Sequence, residues 1–187
     1  MKRMSKYWCG AKDEFSNREA KSVVGWVNAY RYIESCNKIL DCGCGVGNIT
    51  EYCVERGHEA VGITYNPLEV KHANDMGRKY IMFADMQQLP FEDSAFDACI
   101  SFDSLEHCPS MLDALSEIRR VLKPEGIAVI FIPGESWIEC DYHIIVPTIR
   151  QMKHLLRLVN LELTKCVEYD KTVWSAEQAL YVVRKVD

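Results

Sequence analysis

Short apolar runs alternate with longer amphipathic stretches along almost the whole sequence, and few folds accept that pattern. Residues 38–42 form an apolar run that ends in glycines, so they read as a buried strand. Residues 48–56 follow with helical spacing, placing Ile49, Tyr52 and Cys53 on one face. A second strand over 59–64 is closed by Asn66 and Pro67, and Pro67 suits the first turn of a helix that Gly77 stops near Met76. Third and fourth strands are expected over 79–84 and 96–102. Ser110 is placed to cap a helix over 111–122 with Leu112, Leu115, Ile118, Val121 and Leu122 as its apolar stripe, ended by Pro124 and Gly126. A strand over 127–132, a helix over 147–158 and strands over 161–169 and 178–184 complete the chain.

Strands separated by helices pair in parallel through right-handed crossovers. The last two strands leave only residues 170–177 between them, too few for a crossover helix, so they should form an antiparallel hairpin. The expectation is an α/β fold, a mostly parallel seven-stranded sheet with helices on both faces and an antiparallel last strand. At 187 residues the chain has the size of one domain. Phe15, Val23, Val24, Val27, Tyr30 and Ile33 are spaced as a helix, so residues 1–36 are expected to be a helical segment over the sheet edge, on the ligand side. Residues 134–147 read as a lid.

The loop Asp41-Cys42-Gly43-Cys44-Gly45-Val46-Gly47 carries the first chemical signal. Glycines there allow tight turns and close ligand approach, and a helix N-terminus offers N–H groups and partial positive charge. An anionic or zwitterionic ligand fits such a loop; a ligand-free strand-to-helix turn is the plainer reading. The dinucleotide pattern G-x-G-x-x-G fails, because its third glycine falls on Asn48.

Charge narrows the partners. A net charge of −5 is a poor match for nucleic-acid phosphates, and Lys2, Arg3 and Lys6 are sparse enough to read as a solvated terminus. No apolar run reaches the roughly 18 residues of a membrane span, and the N-terminus lacks a signal-peptide core. The nine cysteines include no zinc-spaced pair, so they read as reduced, buried thiols in a cytoplasmic protein with no metal site.

KILDCGCGVGNIT, followed by FADMQQLPFEDSAFDACISFDSLEHCPSMLDALSEIRRVLKPEGIAVIFIP, resembles class I S-adenosylmethionine (SAM)-dependent methyltransferases of the methyltransferase type 11 kind, over about 38–133. The resemblance implies a Rossmann-like sheet and SAM as cofactor. It places Asp41, Gly43, Cys44 and Gly45 at the amino acid end of SAM. Asp85 and Met86 fall at its adenine, with Asp85 as the cap of the following turn as the plainer alternative, and Phe102 borders the methionyl chain. One position departs from the family: the second strand usually ends in Asp or Glu, which accepts the ribose hydroxyls, and here it ends in Thr64. A hydroxyl brings no charge, so Tyr65 or Asn66 is the expected substitute.

Acceptor groups are expected beyond the strand carboxyl ends. They are Asp103, Glu106 and His107 after the fourth strand and Trp137, Tyr142 and His143 after the fifth, with His107 and His143 as candidate catalytic residues or else structural histidines. Trp174, Tyr7 and Trp8 are further aromatics that line a ligand or simply pack. The fourth strand ends in SFDS, without the D/N-P-P-Y/F/W tetrapeptide of amino-methylating DNA enzymes or a Pro-Cys pair. The expected function is SAM-dependent O- or N-methylation of a small-molecule acceptor, without nucleic acid or membrane, by a monomer or homodimer. The alternatives are a non-catalytic SAM-fold binding or scaffold protein and an NAD-dependent oxidoreductase.

Overall fold

A computed structural model describes residues 29–134, 141, 143–169 and 178–186. The elements run β1 (Lys38–Cys42), α1 (Asn48–Glu55), β2 (Glu59–Thr64), α2 (Pro67–Asp75), β3 (Ile81–Phe83), β4 (Phe96–Phe102), α3 (Met111–Val121), β5 (Leu122–Pro133), α4 (Ile149–Leu158), β6 (Leu161–Tyr169) and β7 (Gln178–Lys185). The sheet order is β3-β2-β1-β4-β5-β7-β6. The first five strands pair in parallel. β7 is antiparallel to both neighbours. The seven-stranded α/β sheet and the closing hairpin are as the sequence leads one to expect.

The two-residue period of the strands builds both layers. On β1, Leu40 and Cys42 face a core with Leu115 and Ile118 of α3 and Leu156 of α4. Ile39 faces the opposite layer, with Ala29, Ile33 and Cys53 of α1. Helices therefore cover both faces, as a parallel sheet requires. Of the helical segment expected over 1–36, residues 1–28 lie outside the described residues; so do Trp137, Tyr142, Trp174 and half of the expected lid.

Several boundaries differ from expectation for local reasons. β3 is a three-residue edge strand, not a strand over 79–84, and its Met82 and Phe83 side chains are exposed. The buried stripe of α3 runs through Met111, Ala114, Leu115, Ile118 and Val121, leaving Leu112 exposed. α3 stops at Val121 and Leu122 is already extended, ahead of Pro124, so β5 begins there and not at Ile127. α4 starts at Ile149 because Thr148 caps it reciprocally with Gln151. The seven described cysteines are all free thiols. No described helix is long and apolar enough to cross a membrane.

The chain leaves β1 in one direction to β2 and β3, and in the other through β4 to β5. Such a reversal opens a crevice at the strand carboxyl ends. The core beneath it predicts that Leu115→Ala, at a fully buried position, lowers unfolding free energy by about 2–5 kcal/mol. Urea unfolding checks this, and a change well below that range would mean the α3–sheet layer is loosely packed.

Candidate functional site

The loop after β1 is held from three sides. Gly43 and Gly45 have φ of +81° and +56°, in the left-handed region that glycine tolerates. A Cβ at Gly43 would stand 2.3 Å from the Ser104 hydroxyl oxygen. That hydroxyl is shared between the carbonyls of Gly43 (3.1 Å) and Phe102 (2.6 Å). The N–H groups of Gly43 and Cys44 both donate to the Ile63 carbonyl at 2.9 Å. On the far side the buried Arg78 guanidinium donates to the Val46 carbonyl and Asn48 Oδ1 and pairs with Glu51. Gly45 is different: open space lies where its Cβ would be.

That space belongs to a cavity of about 570 Å³ over the carboxyl ends of β1 to β4. Ligand and cofactor sites commonly span about 300–1,000 Å³. Its wall brings together Gly43, Gly45, Thr64, Tyr65, Asp85 and Met86 among the residues singled out in the sequence. Asp41, Cys44 and Phe102 do not line it. Asp41 is buried behind the loop, where it accepts the Thr50 hydroxyl at 2.7 Å. Burial pushes its carboxyl up from 3.8 to about 7, against the hydrogen bonds from Thr50 that lower it. The Cys44 thiol donates to the Gly45 carbonyl, and burial pushes that thiol well up. Phe102 stacks on Phe131 with ring centres 4.9 Å apart.

Sequence reasoning missed Glu69. It sits in the first turn of α2, 4% exposed, and lines the cavity. The Thr64 hydroxyl donates to Glu69 Oε2 at 2.5 Å and accepts the Asn66 N–H at 3.2 Å. A carboxylate at that level of the second strand is therefore present, delivered by the helix and not by the strand. The positive end of α2 favours its charge. Asn66 is occupied in capping α2 through Leu68 N–H.

Tyr65, just after β2, and Phe83, the last residue of β3, stack with centres 5.2 Å apart at the cavity rim. Asp85 accepts from the backbone and side-chain amides of Gln87, at 2.8 and 3.1 Å. Gln87 in turn accepts the Ser110 N–H at 2.8 Å. Asp85 thus shapes the local turn, the plainer of its two readings, and also faces the cavity.

The two candidate histidines meet. Glu106 and His107 lie on a 3-10 turn, Leu105–His107, after β4, and the Glu106 carbonyl accepts the N–H groups of Ile144 and Ile145 at 2.8 and 3.2 Å. That clamp brings His143 against the turn. The His107 and His143 rings are 5.0 Å apart, and Glu106 Oε1 is 3.7 Å and 4.0 Å from their Nε2 atoms. The Glu106 side chain is fully buried, and His107 lines the cavity.

Comparison with known proteins agrees with this geometry. A family model described as a methyltransferase domain matches residues 40–130. A sterol 4-C-methyltransferase of Caenorhabditis elegans is 37% identical over 99 residues, 49% of this chain and 30% of that protein. The chloroplastic tocopherol O-methyltransferase of Arabidopsis thaliana is 36% identical over 101 residues, 50% of this chain and 29% of that protein. The chain thus spans under a third of the length of these relatives in the matched region. A crystal structure named as a SAM-dependent methyltransferase, from Methanosarcina mazei, superposes with a TM-score of 0.72 at 18% identity, covering 80% of this chain and 92% of that one.

Asp41 yields a pH prediction. Its folded-state pKa is raised from 3.8 to about 7, so between those values the folded state holds a proton that the unfolded state has lost. Its contribution to stability is greatest below about pH 4 and falls as pH rises through about 7. Asp41→Asn should remove that falling component, seen by comparing urea midpoints of both proteins across the interval. Parallel pH profiles would show that Asp41 titrates normally.

Proposed function

We propose that the cavity over β1–β4 binds SAM and that the protein methylates a small-molecule acceptor; residues 40–130 match a methyltransferase domain model, and the sheet superposes on a structure named as a SAM-dependent methyltransferase. The residues present fit the cofactor. The open approach at Gly45, the buried carboxylate of Glu69 and the apolar wall of Met86, Ile63 and Phe83 match its amino acid, ribose and adenine parts in turn. The observation that carries this reading is Glu69. It supplies the charged acceptor for ribose hydroxyls that Thr64 alone lacks, while the Thr64 hydroxyl holds the carboxylate in place. Asp41, Cys44 and Phe102 act from behind the lining, by shaping the loop and the end of β4. Tyr65 borders the ribose, and Asp85 with Met86 receives the adenine.

Bound in this cavity, SAM supplies an electrophilic methyl group on sulfur. The chain's own task is to align an acceptor, exclude water and take up a proton. His107 and His143, with Glu106, form the polar end of the site and are the groups assigned to an oxygen or nitrogen acceptor. Exposed Ile144 and Ile145 beside them give that end an apolar rim, and the relatives named above are sterol and tocopherol enzymes, so an apolar small molecule is the favoured acceptor. The free thiols fit a reducing compartment such as the cytoplasm.

A second reading has an observation of its own. Glu69 would accept the ribose hydroxyls of NAD equally well, so a nicotinamide cofactor is the rival to test. Thermal-shift titration with SAM, its demethylated product and NAD separates them. A ligand at about 100 times its Kd stabilises by about 2.7 kcal/mol. SAM and its product should raise Tm, NAD should not, and Gly45→Leu should abolish the response. Glu69→Ala should weaken SAM binding about tenfold or more, since hydrogen bonds to a charged group are worth about 1.5–3 kcal/mol. Stabilisation by NAD alone would overturn the assignment.

A further inference from the structure

Glu106, His107 and His143 present one carboxylate oxygen and two imidazole nitrogens that all lie within 4.8 Å of one another. The geometry points to a divalent-cation site of the zinc class at the polar end of the cavity. The site itself is independent of SAM; only its use for an acceptor rests on the function proposed above.

The distances are those of ligands slightly parted. Two donors about 2.1 Å from one ion and 90–110° apart are separated by roughly 3.0–3.4 Å. Glu106 Oε1 stands 3.7 and 4.0 Å from the two Nε2 atoms, and the three donors lie within 4.8 Å of one another, so the side chains would close by up to roughly 1 Å to share one ion. The rings meet edge to face, at 65°, and do not stack as parallel plates. The two backbone hydrogen bonds from Ile144 and Ile145 to the Glu106 carbonyl hold the His143 segment on the 3-10 turn, so two ligands come from one loop and the third is locked against it.

Charge favours occupancy. A divalent ion shared with two neutral imidazoles would place positive charge beside the buried Glu106 carboxylate, which favours binding there. Two nitrogen ligands and one oxygen favour borderline first-row ions over magnesium or calcium. Three protein ligands leave coordination positions open, as in catalytic zinc sites. His107 faces the cavity, so an open position on that side would take an oxygen-bearing acceptor and lower the pKa of its hydroxyl.

The test uses untagged protein stripped with chelator. Calorimetric titration with Zn²⁺ should give one equivalent with a Kd in the micromolar range or tighter, and Mg²⁺ should give none. Co²⁺ should produce visible ligand-field bands without a thiolate charge-transfer band, which would instead mark a cysteine such as the neighbouring Cys108. His143→Ala and the near-isosteric Glu106→Gln should each weaken Zn²⁺ binding about tenfold or more, with far-UV circular dichroism and urea midpoints confirming the fold. Should either variant unfold, His107→Gln, at a partly exposed position, serves in its place. No zinc binding by the wild type, a thiolate band, or unaltered binding in the folded variants overturns the site. SAM thermal shifts measured with chelator present keep the two readings apart, since failure of one leaves the other intact.

Discussion

The loop after β1 runs so close to the turn after β4 that a single methyl group at Gly43 would overlap the Ser104 side chain. That contact sets the rest of the carboxyl end of the sheet. It requires the left-handed backbone at Gly43, brings the Ser104 hydroxyl onto the Gly43 and Phe102 carbonyls, and fixes the starting point of the 3-10 turn that carries Glu106 and His107. Arg78 closes the loop from the other side by bridging Val46, Asn48 and Glu51. With both flanks held, the one open point of the loop is Gly45, and it faces the cavity.

Three buried carboxylates lie around that loop, each kept by a different device. Asp41 is held behind the glycines by Thr50, and burial outweighs those hydrogen bonds, so its proton is retained well above the usual carboxylate range. Glu69 combines the Thr64 hydroxyl with the positive end of α2. Glu106 faces two imidazoles. Of the three only Glu69 lines the cavity, and Asp85 is a second carboxylate at a separate place on its wall; two such groups apart from one another suit a ligand with several polar groups better than a simple anion.

Much of the frame was legible along the chain. The limits of β1, β2, β4 and β6 follow from local apolar runs, because each is bounded by glycine, proline or a polar turn. Element ends that depend on a cap or a neighbour were less legible. α4 waits for Thr148 to find Gln151, and β3 is limited to the three residues that pair with β2. At the site, the threonine that ends β2 read as a missing acid. A buried carboxylate, that of Glu69, lies five positions on and inside a helix, and no rule for strand ends looks there.

The sequence by itself determined the alternation of strands and helices, the glycine loop and the hairpin, because each depends on residues within a few positions of one another. Tertiary structure decided three things that join distant parts of the chain. β7, not β6, lies against β5, because that order buries β7 between two strands and leaves the more polar β6 at the edge. Glu69 turns back onto Thr64, because the α2 cap at Asn66 fixes where the first helical turn points. His107 and His143 meet on Glu106, because two backbone hydrogen bonds to one carbonyl fold the segment after β5 onto the turn after β4. Local pattern shows which residues are available; only packing shows which of them share a cavity.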